Sequence, residues 1–95
     1  MSKKANAYDR TQFIKVDPTT DAYKLANKLM KGVPLILNFE TNDVIESNRI
    51  IIFLSGVIYA LDGNVEIIRE KILAFGTKED LKDKHLRKFI EEHKS

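Results

Sequence analysis

The sequence predicts an α/β fold: a small two-layer sandwich on a mixed sheet, in the order β-α-β-α-β-β-α, that forms a dimer. Three observations predict it. Short apolar runs alternate with segments of helical periodicity, the pattern of helices packed on a sheet. The last two strand-like runs are separated only by Arg69-Glu70, too short for a crossover, so they pair antiparallel, while the first two are joined through a helix. Residues 49–63, RIIIFLSGVIYALDG, form the longest apolar run and have no polar face. A helix apolar all round must be covered on more than one side. A chain of 95 residues has few elements with which to do that, so the surplus face is expected to meet a second copy.

The elements follow in order. Residues 1–10 read as a flexible polar N-terminus, and 11–95 as one domain that includes a C-terminal helix. A first strand covers 12–16 in an alternating pattern around Phe13 and Ile14. Asp17-Pro18 reads as the start of the first helix, with Asp17 as N-cap. Ala22, Leu25, Ala26, Leu29 and Met30 make its apolar stripe, and Gly32 ends it. Residues 33–39, VPLILNF, suit a buried central strand parallel to the first, with Pro34 at its beginning. Thr41-Asn42-Asp43 offers caps for a second helix over 43–61. Gly56 within it costs about 1 kcal/mol against alanine, and beside Ser55 it makes a notch where another backbone can approach. Asp62-Gly63 signals a turn. Strands follow at 64–69, with Val65 and Ile67 or Ile68 inward, and at 71–75. Thr77 with Asp80 resembles a capping box before a terminal helix over 78–93, with Leu81, Leu86, Phe89 and Ile90 apolar.

Composition narrows the function classes. Sixteen basic and 14 acidic residues leave a net charge of +2, with both signs interleaved. That is a weak footprint for nucleic acid or membrane. There is no cysteine, which excludes disulfides and thiolate metal sites and fits a reducing cytoplasm. The apolar run of about twelve residues falls short of the roughly 20 that span a bilayer.

Candidate chemistry is sparse. His85 and His93 lie eight residues apart, beyond the three or four of paired ligands, and read as solvated. Ser55-Gly56 inside a helix is not a hydrolase elbow. Glu40, Asp43 and Glu46 gather at the start of the second helix, where capping favours negative charge. The four glycines form no phosphate loop. Phe39 and Phe75 sit in apolar runs and read as core, not as exposed RNA-stacking aromatics. Arg49 either snorkels at the end of the buried helix or pairs with a partner's carboxylate. These residues predict no enzyme and no cofactor.

Together, the GVPLILNF strand, the RIIIFLSGVIYAL helix, the DGNVEII turn and strand, and the KILAF strand resemble the SepF cell-division proteins. Arg49, Ile50, Ile51, Phe53, Leu54, Ser55, Gly56, Tyr59, Ala60, Leu61 and Gly63 match the family's central segment, and the likeness runs from Phe13 to Phe75. It implies a non-enzymatic adaptor, cytoplasmic and at the division site, that dimerises or polymerises. It also implies binding of the C-terminal tail of the tubulin-like protein FtsZ, in support of division-septum assembly. The implied tail groove would involve Ser47, Asn48, Ile51 and Leu73, and Phe53, Ser55, Gly56 and Tyr59 are the expected self-assembly residues. The family usually carries alanine at Ser47, a basic residue at Asn48 and phenylalanine at Leu73, so an aromatic anchor is lost here. Family members typically begin with an amphipathic membrane-binding helix, whereas the residues before the first strand lack an apolar face. Membrane attachment is therefore expected only through an anchor not evident in this chain. The alternative reading is a dimeric regulatory α/β module that binds a small ligand.

Overall fold

The structure is a computed structural model that describes residues 5–94. The part of the expected flexible terminus at residues 1–4 lies outside the described residues. The elements run α1 (Ala7–Arg10), β1 (Gln12–Lys15), α2 (Ala22–Met30), β2 (Leu35–Asn38), α3 (Val44–Ala60), β3 (Gly63–Arg69), β4 (Ile72–Thr77), α4 (Lys78–Lys82) and α5 (Lys84–His93). The strands form one mixed sheet in the order β1-β2-β4-β3, with β1 and β2 parallel and the other two pairs antiparallel.

Alternation along the central strands gives each face its own core. Leu35 and Leu37 of β2 with Leu73 and Phe75 of β4 point to one face, where Leu25 and Leu29 of α2 and Leu54 and Ile58 of α3 cover them. Ile36 and Ala74 point to the other, under Leu81 of α4 and Leu86 and Ile90 of α5. Helices therefore cover both faces, and the layers number three rather than two. Phe39 and Phe75 are both buried, as core aromatics should be.

Three local readings are corrected. The N-cap of α2 is Asp21, whose carboxylate accepts from the amides of Tyr23 and Lys24. Asp17 instead closes a turn, accepting from the Thr19 amide at 2.7 Å while its own carbonyl accepts from Thr20. Pro18 follows Asp17 as the second turn residue, not as the first residue of a helix. The expected terminal helix is two helices, broken at Asp83 (ψ 130°). Five residues separate Leu81 from Leu86, which would turn them about 140° apart on one straight helix. The break brings both into the same core, and the Asp83 carboxylate caps α5 through the His85 and Leu86 amides. The expected polar terminus contains α1, with Ala7 buried against α5 and Arg10 bonded to Asp80 at 2.6 Å and to the Gly32 carbonyl.

Gly63 opens β3 for a steric reason. A Cβ there would stand 2.5 Å from Ile58 Cγ1 and closer still to the Gly76 carbonyl oxygen. The left-handed position of that turn falls on Asp62 (φ 57°). In β3 a bulge leaves Ile68 unpaired between the pairs Ile67–Leu73 and Arg69–Ile72. The bulge sends Ile68 into the α5 core, Val65 packs on the α3 side, and Ile67 stays 66% exposed beside Leu73. Glu66, on the α5 face, receives Arg87 at 2.6 Å and Lys94 at 3.0 Å and so ties α5 to β3. The Arg87 hydrogen bond is the main cause that holds the Glu66 carboxyl below its ordinary range.

Candidate functional site

The start of α3 is fixed by its cap. Asp43 accepts from the Glu46 amide at 3.0 Å, which sets the first turn against the end of β2. Glu46 pairs with Arg49 at 3.3 Å on the exposed side of the helix. Arg49 is thus neither buried nor without a carboxylate. Glu40 bonds the Asn38 amide group at 3.0 Å, so the three carboxylates near this helix start are each engaged locally.

Between that first turn and β4 runs a groove of about 180 Å³. It is lined by Phe39, Val44, Ser47, Asn48, Ile51 and Leu73, together with Asn42 and Lys71. All four residues expected to share a partner groove line it together. Ser47 is buried, and its hydroxyl accepts from the Asn42 side-chain amide at 2.9 Å. That bond pins the loop before α3 to the helix. Leu73 and Phe39 form the apolar floor, Ile51 makes one wall, and Asn48 stands exposed at the rim. Lys71, held at φ 69° in the β3–β4 turn, places an ammonium-bearing side chain beside apolar surface. The exposed neighbours Val44, Ile45 and Ile67 extend the apolar character beyond the groove.

The four residues expected in self-assembly do not share one environment. Leu54 and Ile58 face the core, yet Ile52 is 73% and Tyr59 84% exposed. Ile45, Ile52 and Tyr59 are seven residues apart, which stacks them on one side of α3. Gly56 lies on that open side, with nothing within 4 Å of where its Cβ would be. Phe53 packs edge-on against Tyr23 of α2 at 5.3 Å, and both remain partly or largely exposed. Ser55 turns inward, its hydroxyl donating to the Ile51 carbonyl at 2.6 Å within the helix. The outer surface of α3 and α2 is therefore an apolar patch around a glycine.

The histidines are apart. His85 lies 3.6 Å from Asp83, and His93 stacks on Phe89 at 4.0 Å. Among the described residues no group of three or more metal-ligating side chains converges, and no helix is long and apolar enough to cross a membrane. Sequence reasoning missed a larger cavity on the opposite face of the sheet, between β1, β4 and α5. Its walls come from residues far apart in the chain, so no local spacing signals it, and Phe13 in its wall is half-exposed.

Comparison with known proteins gives one consistent result. The profile of a family described as Cell division protein SepF matches residues 13–78. The cell division protein SepF of Ruminiclostridium cellulolyticum is 37% identical over 68 residues, 67% of this chain and 44% of that protein. That of Oenococcus oeni is 36% identical over 53 residues, 56% of this chain and 29% of its own length. That of Lactobacillus gasseri is 34% identical over 53 residues, 56% of this chain and 37% of the relative. The chain spans less than half the length of the curated relatives it matches.

Proposed function

The chain belongs to the SepF family of cell division proteins, and from that premise we propose that it is a division adaptor that binds the C-terminal tail of FtsZ in the α3–β4 groove. The observation that carries the reading is the convergence of Ser47, Asn48, Ile51 and Leu73 on one groove with an apolar floor. An apolar side chain of the tail would rest on Leu73 and Phe39 against Ile51. The Asn48 side-chain amide would offer hydrogen bonds to the peptide backbone at the rim. With leucine at position 73, Phe39 is the one aromatic side chain among the groove's described lining residues. The groove is small, so a single contact is weak.

Self-association supplies the rest. Two copies meet through the outer surface of α3, with Ile52, Phe53 and Tyr59 around Gly56. A two-fold contact would set this surface against its own copy, and the absent side chain at Gly56 would let the helices approach closely. Ser55 acts inside its own helix, while Gly56 provides the approach. A dimer or polymer presenting many grooves to a filament with many tails gains about 10²–10⁴ in avidity over one contact. The protein works in the cytoplasm at the division site, as a link and not as an enzyme. Titration of labelled FtsZ tail peptide, with wild-type protein and with Leu73→Asp, tests the groove. Saturable binding lost in the variant supports it, and equal binding by both sinks it.

A further inference from the structure

The cavity on the α5 face of the sheet has the form of a small-molecule site. It measures about 400 Å³, within the range of ligand pockets, and is more than twice the volume of the peptide groove. Its apolar lining comes from Phe13 of β1, Ile36 of β2, Ile68 of β3, Ile72 of β4 and Phe89 of α5. Phe13 and Phe89 meet edge-on at 5.1 Å, and Tyr8 packs against both, so the aromatic wall is braced from behind. Alternation in β4 sets this cavity back to back with the groove, because Ile72 faces one and Leu73 the other.

Among the described residues, the charged side chains that line it have one sign, and Glu40 stands outside the lining, bonded to Asn38. Lys15 and Arg69 line the cavity, and no carboxylate does. Neither makes an ion pair among the described residues. Arg69 is oriented by its Nε, which donates to the His93 carbonyl at 2.8 Å, and its terminal nitrogens make no hydrogen bond among the described residues. Asn38 also lines the cavity, with its amide engaged by Glu40. An apolar cleft with two cations that are unpaired among the described residues, and a stacked histidine in its lining, suits one ligand chemistry.

We propose that this cavity binds a small anionic amphiphile, an aliphatic carboxylate whose chain lies on Ile36, Ile68 and Ile72 and whose head group meets Arg69 and Lys15. The aliphatic floor takes the chain, and guanidinium recognises a carboxylate through paired N–H donors. This site is independent of the tail groove and shares none of its lining residues.

The test uses decanoate below its micellar concentration, followed by amide and methyl NMR of the full chain. Decyltrimethylammonium, of matched length and opposite charge, is the comparison, and Lys15→Gln/Arg69→Gln is the variant. The proposal expects saturable one-to-one shifts at Phe13, Ile68, Ile72 and Phe89. It expects affinity at least about tenfold lower in the variant, whose two positions are exposed and outside both cores. Shifts that do not saturate, equal affinity for the cationic amphiphile, or shifts confined to α3 and Leu73 would each overturn it. FtsZ-tail binding, measured on the same samples, fails or succeeds separately and so keeps the two readings apart.

Discussion

Replacing Gly56 by alanine separates the fold of this protein from the self-association proposed for it. In the interior of α3 a glycine costs about 1 kcal/mol relative to alanine, and that cost is recovered unless the new methyl group collides with something. Nothing lies within 4 Å of its position in the single chain. Gly56→Ala should therefore stabilise the isolated chain by about 1 kcal/mol, which for a domain of this size raises Tm by about 4–8 °C. The assay is thermal melting followed by circular dichroism, at a dilution where sedimentation shows a monomer. Gly56→Lys carries the complementary test, because it too improves helix propensity while placing an ammonium on the outer face of α3. In a two-fold contact that charge enters twice, and burying unpaired charge costs several kcal/mol per ion. Dimer affinity should fall by more than about 100-fold. If alanine lowers Tm in the monomer, some part of the chain already uses the space beside Gly56. If lysine leaves association unchanged, the exposed face of α3 is not the contact.

Other outcomes follow from the packing of the sheet and its helices. Gly63→Ala should lose about 2–3 kcal/mol in urea melts, because its Cβ meets Ile58 and the backbone of Gly76; a loss below about 0.5 kcal/mol would contradict that close approach. Asp83→Ala should cost about 1 kcal/mol by removing the α5 cap, while Asp21→Ala should cost a similar amount at α2, both read by the same melts. Glu66 supplies a pH dependence whose sign is fixed by its partners. Its folded-state pKa lies below the ordinary 4.5, so the unfolded chain binds the proton more readily. The stability from Glu66 is then fully present above about pH 4.5 and is lost as pH falls through the lower folded value. Glu66→Gln should lower stability at pH 7 and flatten its decline on acidification, and an unchanged acid limb would refute the assignment.

The parts of the fold that were legible in the sequence are those set by local chemistry. The parallel and antiparallel strand pairs, the Asp43 cap of α3, the end of α2 at Gly32 and the Thr77–Asp80 cap all follow from short-range patterns. The misread positions are those where two local signals compete. Asp17-Pro18 and Asp21 both resemble helix starts, and only the Thr19 and Thr20 hydrogen bonds show that the first is a turn. The Asp83 break was missed because the Thr77–Asp80 cap and the apolar residues that follow suggest one continuous helix, although the five-residue spacing of Leu81 and Leu86 does not fit one helical face. The α3–β4 groove that Ser47 and Leu73 line was expected only through a likeness of sequence, since nothing in either residue alone joins them. The Glu66–Arg87–Lys94 clamp and the cavity behind the sheet are products of long-range register, which spacing along the chain does not encode.

Tail binding in the α3–β4 groove is read out by titrating isotopically labelled protein with an FtsZ C-terminal tail peptide and following the amide resonances. Binding should saturate with the largest shifts at Ser47, Asn48, Ile51 and Leu73, and should be lost in Leu73→Asp with the remaining spectrum folded. No saturable shift, or shifts that map to the opposite face of the sheet, would contradict it.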